Sequence, residues 1–188
     1  MINIAFGPYT FGFRIDDKHL YDFFKGKFKK HLTQDKPDLL FDVEKDDSSA
    51  TIQYDLRNLL DQVLIEGDRF SFFQGIIKGE FISDLYCSLT LKKEAFNYHR
   101  FCIFDMFLTM AFYYLERFYN HEEVNRFISH ASAVSRNGKG LVFAGPSKNG
   151  KTTVVSYLDT GRVLHDEAVL LSLENREVSS TPLSGKFP

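Results

Sequence analysis

The chain has 188 residues, 44% of them hydrophobic and 26% charged, with a formal net charge of -2. That balance excludes a disordered or fibrous protein and a broad electrostatic surface for nucleic acid. The length suits one well-buried domain with a smaller subdomain.

Twenty phenylalanines and no tryptophan mark an aromatic core and no particular chemistry. Cys87 and Cys102 lack metal-ligand spacing, and two cysteines make no disulfide framework. With no leader pattern and no N-x-[ST] sequon, a reducing cytoplasm is the expected setting. The segment FCIFDMFLTMAFYYLERFY (Phe101 to Tyr119) has an uncharged core, Met106 to Leu115, well short of the roughly 20 apolar residues of a membrane span. It reads as a buried helix, so no membrane partner is expected.

In chain order, MINIAFGPYTFGFRI alternates like strands broken by glycine, and Lys18 to Leu32 has helical periodicity weakened by Gly26. The basic run KGKFKK within it reads as a solvated face. LLFDVEK and ATIQYDL are strand-like around a polar turn at Asp46 to Ser49. QVLIE and RFSFF flank Gly67-Asp68, a hairpin signal. DLYCSLTL places Leu85, Cys87, Leu89 and Leu91 on one face. These elements predict a β-rich N-terminal region over 1–94 and a connecting buried helix over 95–120.

The remaining stretch, 121–188, reads as a nucleotide-binding core. HASAVSR and KGLVFAG form two strands joined at Asn137-Gly138, the second, Leu141 to Ala144, apolar throughout as a centrally buried strand should be. A helix is predicted from Gly150 to about Asp159, with Thr160-Gly161 as its stop. RVLHDEAVLLSL then offers a strand interrupted by His165, Asp166 and Glu167. Strand, glycine loop, helix and strand give the βαβ context of a phosphate-binding loop.

That loop is GPSKNGKT, Gly145 to Thr152, which fits the Walker A pattern G-x-x-x-x-G-K-[ST] without a gap. Its glycines allow backbone conformations in which successive N–H groups face one anion, and the following helix adds positive potential at its N-terminus. Lys151 can reach the β- and γ-phosphates, and the Thr152 hydroxyl can ligate Mg²⁺. The bland rival is a tight turn that binds nothing. No guanine-reading N-K-x-D follows. His121-Glu122-Glu123 opens like a zinc-protease motif, but Asn125 stands where the second histidine is required.

Upstream of the loop stands ISHASAVSRNGKGLVFAGPSKNGKTT, and downstream TGRVLHDEAVLL. Over roughly Ile128 to Leu171 this arrangement resembles the HPr kinase/phosphorylase family and its relatives. Their fold is similar to the nucleotide-binding core of phosphoenolpyruvate carboxykinase, so the resemblance implies an α/β fold with a P-loop core of that type. It further implies binding of ATP and Mg²⁺ and phosphoryl transfer to a hydroxyl on a protein, peptide or small molecule. By the same resemblance, Gly145, Ser147, Lys148, Asn149, Gly150 and Lys151 cradle the phosphates. Thr152 ligates Mg²⁺, with Thr153 behind it. Asp166 matches the general base, Glu167 a metal-side carboxylate, and His130 the strand-borne histidine near the transferring phosphate. His165 is expected to be structural. Each acid has a plainer rival as part of a solvated turn, and His130 as a structural histidine.

The chain also departs from the family pattern. The Lys151 to Asp166 segment is a residue or two shorter than expected, and the second acid is Glu. Only 21 residues follow Glu167, where the family carries adenine and acceptor contacts, so a C-terminally incomplete core is expected. Two rivals therefore stand beside the kinase: a non-catalytic nucleotide-binding and protein-interaction module, and a carboxykinase-like enzyme acting on a small acid. Self-association into homo-oligomers, a family trait, stays open.

Overall fold

The alternation of the first fifteen residues folds as a hairpin, β1 (Ile2–Phe6) and β2 (Tyr9–Ile15), with Ile2, Ile4, Phe6, Phe11, Phe13 and Ile15 turned inward. The structure is a computed structural model and describes residues 1–48, 63–73, 75–96, 103–120, 124–146, 148–158 and 162–183. The chain is mixed α/β and β-rich. It divides into two compact units, Met1–Met110 and Ala111–Pro188.

In the first unit, α1 (Lys18–Lys27) starts where the Asp17 carboxylate accepts the Leu20 N–H at 2.7 Å. This is an N-cap that satisfies one of the helix's orphan donors. The bond holds the Asp17 carboxyl below its usual range. α1 returns the chain to β3 (Leu39–Asp46), parallel to β2. Then come β4 (Val63–Glu66), β5 (Arg69–Phe72), β6 (Ile77–Ser83) and β7 (Tyr86–Lys92), giving a mixed seven-stranded sheet in the order β1-β2-β3-β7-β6-β5-β4.

The phenylalanines explain themselves here. Phe13 stacks on Phe41 with centroids 5.1 Å apart, Phe24 meets Phe13 and Phe104, and Phe107 packs on Phe41. Offset and edge-to-face rings of this kind add to the burial of their large apolar area. Cys87, Leu89 and Leu91 are buried on one face of β7, as their period of two predicts. Tyr86, on the opposite face, donates its hydroxyl proton to Asp42, which also pairs with Arg14 at 2.9 Å.

Several expectations need correction or completion. In the basic run, Lys25, Lys29 and Lys30 are exposed. Lys27 instead pairs with Asp105 at 3.3 Å and lies 5.4 Å over the Phe28 ring. The strand β6 escapes sequence reading because Gly79 and two charges interrupt its pattern. A Cβ at Gly79 would come within 2.2 Å of the Phe70 ring, so the glycine makes room for that ring. The long helix α2 occupies Ile103–Tyr119, preceded by a 3-10 turn at Lys93–Phe96. The expected strand ATIQYDL lies outside the described residues.

The second unit holds two antiparallel sheets. One runs β10 (Lys139–Ala144), β9 (Ala131–Arg136), β11 (Arg162–His165). The other runs β13 (Glu177–Ser180), β12 (Val169–Ser172), β8 (Arg126–Ser129). Ala131, Ala133 and Val169 form its core, with Leu164, Leu171 and Val178 packed against them. Two expectations change. β10 is not a buried central strand: β9 takes the centre, and Leu141 and Val142 on β10 are exposed. RVLHDEAVLLSL is not one interrupted strand either, but two strands in different sheets, with the acids in the turn between them.

The C-terminal half of α2 anchors β8. Glu116, fully buried, receives the Arg126 guanidinium at 3.0 Å, and the Tyr113 hydroxyl accepts the Ile128 N–H at 2.9 Å. Since β8 leads directly into His130, these contacts fix where the site begins.

Candidate phosphate-binding site

β10 and β11 flank β9, each antiparallel to it, so they run parallel to one another. The chain therefore crosses from the end of β10 through the glycine loop and α3 (Lys151–Ser156) to β11. α3 lies against β9 and buries Val155.

The backbone is left-handed at Lys148 (φ 70°) and at Gly150 (φ 78°), the residue that opens α3. A Cβ at Gly150 would touch nothing within 4 Å, so the position asks for glycine on backbone grounds alone. α3 has only six residues, shorter than its sequence suggests. A helix dipole grows with the number of aligned peptides, so Lys151 and the loop amides carry the larger share of any attraction for an anion. Ser147 lies outside the described residues. Lys148 and Asn149 are exposed, Gly145 and Thr152 half-buried, and Thr153 exposed.

Lys151 is where the sequence-predicted residues converge. Its ammonium donates to the carbonyls of Gly145 at 2.8 Å and Pro146 at 3.0 Å, and it stands 3.3 Å from His130 Nε2. An ammonium only donates, so Nε2 accepts and the imidazole proton sits on Nδ1. That nitrogen faces Glu167 Oε2 at 3.6 Å. Lys151, His130 and Glu167 thus form a continuous polar row, drawn from α3, the start of β9 and the turn after β11. The row places one cation and one anion around a neutral imidazole, an arrangement able to receive a phosphate at one end and a metal at the other.

Asp166 stands differently. It is 1% exposed, while the Glu167 side chain is 39% exposed. The Asp166 carbonyl accepts the Ser132 hydroxyl at 2.9 Å, and the Ala168 carbonyl accepts that of Thr181 at 2.8 Å. His165 Nδ1 accepts the N–H groups of Glu167 at 3.1 Å and Ala168 at 2.9 Å. Sequence reasoning misses Ser132 and Thr181, because a serine within an Ala-Ser-Ala strand and a threonine before proline carry no motif. His165 was visible, but its bonds depend on a turn geometry that its neighbours in sequence do not reveal.

Mg²⁺ is a hard cation that takes oxygen ligands, and in nucleotide sites it keeps waters and phosphate oxygens alongside one or two protein groups. The Thr152 hydroxyl and the Glu167 carboxylate are that kind of donor set. Among the described residues, no group of three or more His, Cys, Asp or Glu could hold a metal by itself. The residues present therefore fit an ion brought with a nucleotide better than a resident one.

Two open hollows of about 350 and 320 Å³ lie elsewhere, on the polar face of the seven-stranded sheet. Arg14, Asp42, Glu44 and Ser88 line one, and Arg69, Lys78 and Glu80 the other. Among the described residues, no helix is long and apolar enough to cross a membrane. No family model, curated protein or solved structure matches this chain.

Proposed function

We propose that this chain is an HPr-kinase-related P-loop protein that binds ATP with Mg²⁺ and transfers a phosphoryl group to a hydroxyl of a protein, peptide or small molecule in the cytoplasm. The observation that carries the reading is the meeting of Lys151, His130 and Glu167 beside a loop of Walker A sequence. Lys151, with the backbone N–H groups of Gly145, Ser147, Lys148, Asn149 and Gly150, would bind the phosphates. Thr152 and Glu167 would hold Mg²⁺, which neutralises charge on the phosphates. His130 would lie beside the transferring group once Lys151 has turned to the β- and γ-oxygens.

In the step itself the acceptor oxygen forms a bond to the γ-phosphorus, the bond from that phosphorus to the bridging β–γ oxygen breaks, and ADP leaves. The acceptor's proton goes to the Asp166 carboxylate acting as general base. A second reading has its own support. Asp166 is 1% exposed, which favours a nucleotide-binding module without transfer activity.

Calorimetric titration of ATP with Mg²⁺ into the full chain tests the shared part of both readings. Loss of the Lys151 charge-assisted bonds should weaken binding by about 10- to 100-fold in Lys151→Ala. Equal affinity in the two proteins, or no binding to the folded wild type, rejects both. Asp166→Asn then separates them. In the kinase it abolishes ATP-dependent phosphorylation of an acceptor and spares nucleotide affinity, whereas in the module the wild type transfers nothing to begin with.

A further inference from the structure

We propose that His165 is a positioning residue of the acid turn: its imidazole fixes the backbone from which Asp166 and Glu167 project, and ties that turn to Leu183. His165 closes β11 where the register against β9 slips, Val163 facing Val134 and His165 facing Ala133. Such an irregularity bends a strand and re-aims the side chains beyond it. His165 is 6% exposed, so its polar atoms need partners within the protein.

Both nitrogens have them. Nδ1 accepts the amide protons of Glu167 and Ala168 at 3.1 and 2.9 Å. A nitrogen that accepts carries no proton, so the proton is on Nε2, which donates to the Leu183 carbonyl at 2.9 Å. This leaves one neutral tautomer with its full bonding capacity in use.

The turn is thereby gripped on both sides of its backbone. Its carbonyls at Asp166 and Ala168 are held from outside by Ser132 on β9 and by Thr181 after β13. Its amides at Glu167 and Ala168 are held from inside by His165. The Glu167 carboxylate, which faces His130, leaves the backbone at one of these held amides. Unpinning that amide would let the carboxylate drift from His130. The functional part of this proposal rests on the nucleotide reading above.

The test uses the full chain. In the wild type, long-range ¹H–¹⁵N spectra of the imidazole should show His165 protonated on Nε2 and bare on Nδ1. A proton on Nδ1 overturns the proposal. His165→Asn puts an amide oxygen near the place of Nδ1, and His165→Gln puts an amide nitrogen near the place of Nε2. Amide exchange at Glu167 and Ala168 should stay slow in the Asn variant and quicken at least about tenfold in the Gln variant. Unchanged exchange in Gln, or equal quickening in both, overturns the proposal. Should the Gln variant not fold, fast exchange in a folded Asn variant does the same.

A mere turn cap would stop there. A positioning residue also predicts that the affinity Mg²⁺ adds to ATP binding falls about tenfold in Gln. That increment should persist in Asn, and ATP binding without Mg²⁺ should be unchanged in both. An undiminished Mg²⁺ increment in Gln overturns the positioning role. A wild type that binds no ATP overturns the nucleotide reading, and with it that role, while the tautomer and exchange results still decide whether His165 holds the turn.

Discussion

Replacing Arg126 by methionine removes the cation facing Glu116 and keeps most of the side chain's apolar length. Glu116 is fully buried, Arg126 Nη1 lies 3.0 Å from its Oε1, and the Arg126 side chain is 18% exposed. Removing one partner of a buried ion pair costs about 3–5 kcal/mol. The partial exposure of Arg126 lets water soften the loss, which places the expectation near the lower end, about 3 kcal/mol. Asn120 Nδ2, 3.4 Å from the other Glu116 oxygen, offers too long a bond to replace the guanidinium. For a unit the size of Ala111–Pro188, each kcal/mol moves the midpoint by about 4–8 °C. Arg126→Met should therefore lower that unit's melting temperature by about 12–24 °C in scanning calorimetry. Adding Glu116→Gln should recover most of the drop, because no charge is then left buried. A drop below about 4 °C, or a double variant no better than the single one, would refute the reasoning. Nucleotide affinity should fall alongside stability, since β8 delivers His130 to Lys151.

Gly79→Ala forces a Cβ to within 2.2 Å of Phe70 Cζ; it should cost about 1–3 kcal/mol in urea unfolding, and Phe70→Leu in the same chain should relieve it. Burial pushes the Cys87 thiol up to about 12 from 9.0, so Cys87 in native protein at pH 8 should resist alkylation that goes to completion in denaturant. With the folded value raised, the associated stability is full below about pH 9 and falls as pH climbs towards 12, by at most about 1.4 kcal/mol per unit. Cys87→Ala should flatten that slope in pH-dependent unfolding. Gly150→Ala meets no neighbour but must hold φ 78°, at a cost of about 1–2 kcal/mol; weaker ATP binding by calorimetry is the expected result.

How much of this could be read in the sequence depended on whether the signal was local. Period two marked Cys87, Leu89 and Leu91, and glycine with a polar neighbour marked the hairpins at Gly67 and Gly138, because strand faces and tight turns are set by adjacent residues. The Gly145 to Thr152 loop was legible for the same reason, since its spacing encodes its backbone. What failed was non-local. Nothing in LVFA says whether a neighbour lies on each side of the strand, and β10 proved to be an edge. Nothing in HDEA says that the chain changes sheets between His165 and Val169. β6 was lost because Gly79 answers to Phe70, nine residues earlier. Lys27 looked solvated until helix α2 supplied Asp105. The row from Lys151 through His130 to Glu167 was legible as three residues near a loop, and its order and tautomer were not.

The central place of β9 has a consequence for how mutations combine. Ala144, the last residue before the glycine loop, is paired with Ala131, and His165, the last before the acids, with Ala133. Ser132 between them holds the acid turn by its hydroxyl. One strand of six residues therefore sets the frame for both halves of the site. A single inserted residue in β9 would flip its faces and displace loop and acids together. In a saturation survey, β9 positions should show strong epistasis with changes on either side.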